Sequence, residues 1–318
     1  MWFFFALATT LIWGLAELFY KKGARPDEKY AHLKTCVCVG AVMGLHALFT
    51  LLTQDISYDP VNLLRYLPVS LLYIISMAFS FFGMRFLEES ISDPIENTSG
   101  AIVPILTAIF LHEEFSPLAI AAIVVVAIGI LCVGFFDKKG KEDRNKNLGK
   151  KLAVWAIAMP FCYMILDAVG TFLDIFYTDS VEETFLIGVT EETLEHTANC
   201  AYELTFFLVA MGILIFLKAK GEKLFSTGTE LDSTKPGVLA KIGNQKWKIL
   251  AAIFETIGQA TYLFALSEGS GVAAVILGAG TVIVSFILSR IFLKEKLSAL
   301  QYTFIGIIFV GIIMLSFI

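Results

Sequence analysis

Within the apolar run "ILAAIFETIGQATYLFAL" (249–266), Glu255, Gln259 and Tyr262 recur at i, i+4 and i+7. Residues so spaced stack on one face of a helix, which aims a carboxylate, an amide and a phenol the same way. A second apolar stretch, "MPFCYMILDAVGTFLD" (159–174), sets Tyr163, Asp167 and Asp174 at i, i+4 and i+11, beside a Pro160 that frees a backbone carbonyl. Tyr202 and Glu203 add a third pair, and Glu17 lies one turn after Trp13. An ionisable group in such apolar surroundings is costly unless it is paired or functional. This set is acidic and aromatic, with no Lys or Arg at comparable depth. It could bind a cation or carry a proton. Trp13, Tyr163, Tyr262 and Trp155 could each add a cation–π contact worth about 0.5–2 kcal/mol. The plainer alternative is a hydrogen-bonded network that only packs helices. Glu17 has its own alternative, an ion pair with Lys21 one turn on.

Patterns for other chemistries are missing. There is no phosphate-binding G-x-x-x-x-G-K-[ST], so the chain cannot use ATP by itself. The G-x-S-x-G and H-E-x-x-H patterns are missing too. The five cysteines (Cys36, Cys38, Cys132, Cys162, Cys200) form no CxxC pair and read as small apolar filler. Neither enzymatic activity nor a cofactor or metal is expected, and nucleic acid is not expected as a partner. His46 reads as an ordinary packed histidine.

The elements that would position these residues are membrane spans. Of 318 residues, 57% are hydrophobic and 17% charged, well below the usual charged share of a soluble domain. The mean hydropathy is +0.76. Ten segments are long and apolar enough to span as helices: 2–20, 34–53, 64–87, 94–111, 117–136, 152–176, 199–217, 248–267, 272–292 and 299–318. They do not alternate as outer-membrane strands would. The expected class is an all-α polytopic membrane protein. The first segment is followed rather than preceded by basic residues ("KKGAR"), so it reads as a retained helix and not as a secretion signal.

Basic residues give an orientation. Of the 24 Lys and Arg residues, 23 fall in or beside the odd-numbered connections and Arg65 alone falls on the even side. Lys and Arg concentrate in cytoplasmic loops. Odd connections are therefore expected in the cytoplasm and both termini outside, in the plasma membrane. These include a basic linker at 137–151 and a basic loop at 218–247. The acidic connection at 178–198 is expected outside. Its Ser180-x-x-Glu183 pattern suggests a capped surface helix, and its charge could gather cations at the outer mouth. Asp93-Pro94-x-Glu96 reads as a helix start, with Glu96 in a capping role more readily than a binding one. Gly40-x-x-x-Gly44 permits a close helix contact.

The charged hairpin "FLHEEFSPLA" (110–119) resembles "FLKEKLSALQ" (292–301) at an offset of 182, which pairs Glu113 with Glu295 and Gly129 with Gly311. Further upstream the offset is 180, pairing Glu88 with Glu268 and Ser90 with Ser270. Repeats of five spans imply two halves, 1–136 and 152–318. Because five is odd, the second half must cross inverted, an architecture of secondary transporters.

With "HEEFS" (112–116) and "KEKLS" (294–298) as hairpin turns, glycines in the closing helices and "LIWGLAELFYKKG" (11–23) as the opening helix, the sequence resembles the EamA type of the drug/metabolite transporter superfamily. The resemblance implies two five-helix repeats and carriage of a small metabolite; Glu113 and Glu295 then read as turn residues. Many members are described with both termini in the cytoplasm, and the charges here say the reverse. The expected function is a secondary transporter of a cationic amine or amino-acid-like solute, with coupling to protons through Glu255 or Asp167 and with neutral metabolites or sugars as the alternative cargo. Its expected surroundings are the lipid bilayer, as a monomer or homodimer. Glu255, Gln259, Tyr262, Asp167, Tyr163, Glu203, Trp13 and Glu17 are the candidate binding residues.

Overall fold

The computed structural model describes residues 1–54, 56–135, 150–224, 245–295 and 298–317. Most of the basic linker, residues 225–244 of the basic loop and Lys296 of the second hairpin lie outside the described residues. Every regular element among the described residues is helical. In chain order these are α1 (Trp2–Gly23), α2 (Ala31–Thr53), the short α3 (Val61–Arg65), α4 (Leu67–Gly83), α5 (Glu89–Asn97), α6 (Ser99–Phe110) and α7 (Pro117–Phe135). They continue with α8 (Lys150–Thr178), α9 (Leu194–Ala219), α10 (Gln245–Leu288) and, after a π turn at Ser289–Leu293, α11 (Ala299–Leu315).

Five helical runs are long and apolar enough to cross a membrane: α1, α2, 152–178 of α8, α9 and the run 245–293. The outer surface suits lipid, since Leu52, Phe4 and Leu45 are 76, 71 and 70% exposed. In water so many exposed large side chains would drive association.

The run through α10 is two helices, not one. Its backbone leaves the helical region at Ser270 (φ 43°, ψ −136°). α1 shows what happens there. Gly23 abuts Lys248, Trp13 abuts Gly258 and Trp2 abuts Gly269, so α1 and the 245–269 arm run antiparallel. Beyond the break, Thr10 abuts Gly280 and Gly14 abuts Val284, so the 271–288 arm runs with α1. The chain turns back on itself at Ser270, and α1 packs along both arms.

The other extensive contacts mostly pair the first half of the chain with the second. α2 packs on α9, α4 on α8, α6 and α5 on α10, and α7 on α11. Small residues let backbones close in: Cβ atoms added at Gly40 and Gly100 would lie 2.6 Å from the Phe206 carbonyl oxygen and 2.4 Å from that of Ala274.

The connections gather at two ends. At one end, Arg85 donates to the carbonyls of Arg25, Pro26, Glu28 and Lys29. There Glu28 also receives Lys34 at 2.8 Å and Lys248 at 2.7 Å. Burial alone would push the Glu28 carboxyl up, but Lys248 and Lys34 overcome that and hold it below the usual carboxylate range. At the other end, Asn62 exchanges two hydrogen bonds with Ile187, and Arg65 donates to the Phe185 carbonyl at 2.6 Å.

The two charged hairpins have matching geometry. His112 (φ 55°) and Lys294 (φ 60°) both adopt the left-handed conformation that ends a helix. The next residue's N–H then reaches back, from Glu113 to the Thr107 carbonyl and from Glu295 to the Ser289 carbonyl, each at 3.3 Å. Each glutamate also crosses to the other half. The Glu295 carboxylate accepts the Glu89 and Ser90 N–H groups at 3.1 and 3.0 Å, capping α5. The Glu113 carboxylate accepts the Ser270 hydroxyl at 2.9 Å and the Gly271 N–H at 3.4 Å, capping the 271–288 arm. Orphan N–H groups at a helix start call for such an anion.

Three expectations are corrected. The helix predicted to start near Pro94 starts at Glu89, because Glu295 supplies a cap upstream; Pro94 lies inside α5. Residues 179–193 form turns, not a helix. Ser180 does accept the Glu183 N–H at 3.3 Å, but the chain is pulled onto α3 by Asn62 and Arg65. The Glu17–Lys21 pair does not form, because Lys21 donates instead to the Met84 and Leu87 carbonyls.

Candidate functional site

A cavity of about 850 Å³, counting the solvent at its mouth, lies where α1, α4, α5, α6, α8, α9 and both arms of α10 converge. Seven of the eight candidate residues line it: Trp13, Glu17, Tyr163, Asp167, Glu255, Gln259 and Tyr262. The helical spacing seen in the sequence explains this. α10 turns Glu255, Gln259 and Tyr262 inward together, and α8 does the same with Tyr163 and Asp167.

The eighth residue, Glu203, is fully buried elsewhere, between α2 and α9. It is bonded to His46 Nδ1 at 2.8 Å and receives Asn199 at 3.1 Å. His46 is thus not an ordinary packed histidine, since its ring nitrogen is the hydrogen-bond partner of the buried Glu203 carboxyl. Trp155 is 55% exposed on the outside of α8, away from the cavity, and Asp174 takes the Tyr66 hydroxyl.

The structure adds residues that the sequence reading placed otherwise. Glu96 lines the cavity, where it accepts the Ser80 and Ser92 hydroxyls at 2.7 Å each. It was legible as the third member of an i, i+4, i+7 acid file with Glu89 and Asp93. Its spacing from Asp93 and Pro94 pointed to a helix start instead. Tyr20, Tyr73 and Tyr202 also face the cavity. Tyr202 was already singled out beside Glu203 and Tyr20 stands one turn after Glu17, whereas Tyr73 has no ionisable neighbour at helical spacing to flag it.

The carboxyls are lightly held. Asp167 takes the Ser99 hydroxyl at 2.6 Å, and Glu255 takes the Tyr20 hydroxyl at 3.4 Å. Glu17 Oε2 is buried with no hydrogen-bond partner. Four carboxyls therefore face one cavity, and its lining contains no Lys, Arg or His.

The aromatic side is better ordered. The Trp13 ring lies 4.8 Å from the Tyr262 ring, and its indole N–H donates to the Glu255 carbonyl at 3.4 Å. The Tyr73 and Tyr262 hydroxyls lie 2.7 Å apart, and both donate to Thr171. Gly258 makes room for Trp13, since a Cβ there would lie 2.4 Å from the indole. Such a chamber, with polar groups converging on an aromatic wall, suits a polar organic molecule. Among the described residues, no cluster of His, Cys, Asp or Glu is arranged to hold a metal ion.

A solved structure described only as "Crystal structure of protein" is similar to this one, with a TM-score of 0.61 over 97% of this chain and 98% of the other. The identity is 12%, so the likeness concerns the fold alone. No curated protein matches the sequence. The EamA-like transporter family matches residues 1–135 and 184–317, which hold every residue lining the cavity except Tyr163, Asp167 and Thr171 of α8. The chain belongs to the EamA-like transporter family, membrane transporters of small molecules.

Proposed function

We propose that the protein is a secondary transporter of a small organic cation, a primary or quaternary amine or an amino-acid-like metabolite. One observation carries the reading: four carboxyls and seven aromatic side chains line one cavity whose lining has no basic side chain. Burying uncompensated acids is costly, and a bound cation repays that cost best. The rings would contribute cation–π attraction to an ammonium group.

Alternating access requires two halves that move against each other. We take these to be 1–136 and 152–318, ten spans in two inverted repeats. The reciprocal caps made by Glu113 and Glu295 and the pairing of α2 with α9 and α7 with α11 support that arrangement. The meeting of Arg85 and Lys248 with the α1–α2 connection supports the parity of the spans. The basic residues then put both termini outside the plasma membrane. Protons would couple to the cargo through Glu255 or Asp167.

The test is a thermal-stabilisation screen of the purified chain against amines, amino acids and sugars. Amines should raise the unfolding temperature in wild type and not in Glu255→Gln. A neutral cargo is the second reading, favoured by the hydroxyl cluster of Tyr73, Tyr262 and Thr171. Stabilisation by sugars alone, unchanged in Glu255→Gln, would select it.

A further inference from the structure

α5 carries three carboxyls in file: Glu89, Asp93 and Glu96, at i, i+4 and i+7. Each stands one turn from the next on one face. They run from the helix start, capped by Glu295, to the cavity, where Glu96 and Glu17 emerge. Glu89 and Asp93 are 1 and 2% exposed. Both oxygens of Glu89 and Oδ2 of Asp93 lack a hydrogen-bond partner, as does Oε2 of Glu17. Asp93 Oδ1 takes the Asn97 amide at 2.8 Å, and Ser285 is its polar neighbour on α10.

The surroundings do not neutralise this file. From α1, Lys21 and Glu17 face it, but the Lys21 ammonium is bonded to two carbonyls and gives Glu89 no hydrogen bond. From the second hairpin comes Glu295, from α8 come Asp167 and Tyr163, and Glu255 bears on Glu17 from α10. α6 and the described side chains of α7 bring no charged residue. Lys21 can offset one of the three charges, so the other carboxyls call for a proton or another cation. A metal ion needs several oxygens around one point, and no such cluster exists among the described residues. Oxygens in a row suit a proton, which needs only the next acceptor.

We propose that Glu89, Asp93 and Glu96 form a proton-holding file that passes protons between the cavity and the α5 start. Each hop breaks the O–H bond of one carboxyl as a bridging water takes that proton and gives one of its own to the next carboxyl, and the positive charge moves with the proton. This deepens the transport reading and rests on it, by giving protons a route along α5 to and from the cavity carboxyls.

The test is infrared spectroscopy of the full chain in lipid nanodiscs, following protonated-carboxyl absorption near neutral pH and its shift in heavy water. Wild type should show that absorption, and Glu89→Gln and Asp93→Asn should each remove a component. Glu182→Gln, on the exposed acidic connection, should remove none. Glu96→Gln should keep the buried components and slow their exchange by about 10²-fold, the usual worth of a positioned proton carrier. Absorption unchanged in both Glu89→Gln and Asp93→Asn would overturn the proposal. So would its loss on adding sodium or calcium, or exchange unaffected by Glu96→Gln. A chain that no amine stabilises, yet keeps the α5 absorption, would refute the cargo reading and leave the file standing.

Discussion

Glu295→Ala removes the acceptor for two backbone N–H groups at the start of α5, at 3.1 and 3.0 Å. A hydrogen bond to a charged group contributes about 1.5–3 kcal/mol, and Glu295 is partly exposed, so the low end applies. The pair should be worth about 3 kcal/mol. Water can partly replace the cap, which lowers the net loss to about 2 kcal/mol. Glu295→Gln keeps an acceptor and loses the charge facing the helix start, so it should cost about 1 kcal/mol. Glu113→Ala removes one hydroxyl bond at 2.9 Å and one long N–H contact at 3.4 Å, and it should cost about 1 kcal/mol. Thermal unfolding in detergent, followed by tryptophan fluorescence, should therefore rank Glu295→Ala as the most damaging of the three. A control at Glu114, exposed beside Glu113, should change nothing measurable. If Glu295→Ala unfolds with wild type, or Glu113→Ala falls further, the cross-capping argument is wrong.

A single cysteine at Phe185, with the native cysteines replaced, should react with an impermeant thiol reagent on intact cells. One at Lys223 should react only after lysis, and the reverse pattern would invert the orientation. Glu28 has its folded-state carboxyl held low by Lys248 and Lys34, so its stabilisation is present above the unfolded value of about 4.3. That stabilisation is lost as pH falls through the lower folded value. Acid titration of unfolding temperature should show this loss in wild type and a smaller one in Lys248→Met. Gly258→Val should displace Trp13, shift its fluorescence and abolish stabilisation by amines, whereas Gly212→Ala, with open space around it, should do neither.

Much of this arrangement was legible because helical spacing is a local property. Glu255, Gln259 and Tyr262 share a face whatever surrounds them, and the same holds for Tyr163 and Asp167. The offset of 182 foretold that Glu113 and Glu295 would be equivalent, but not that each would reach across to the other half. That depends on where Ser270 and Glu89 stand in space. Glu203 was misplaced for a related reason. An acid on a buried face signals a need for a partner, and the partner was His46, 157 residues away on α2. Glu96 was read through its neighbours Asp93 and Pro94 as a helix start, because the cap that moves that start lies near the other end of the sequence. The turns at 179–193 kept their local Ser180–Glu183 bond and lost the helix to long-range bonds with Asn62 and Arg65. Local chemistry was visible, and the choice between local and distant partners was not.

The central claim is that the acid-lined cavity carries a cation, and counterflow tests it most directly. Proteoliposomes of wild type, Glu255→Gln and Asp167→Asn would be preloaded with the amine that stabilises wild type most, and entry of its labelled form measured. Removing one charge-assisted contact, worth about 1.5–3 kcal/mol, should weaken half-saturation by about 10- to 150-fold. The account predicts labelled accumulation in wild type and that loss in both variants, each still folded by its unfolding transition. Accumulation at wild-type rate and affinity in both variants would contradict it.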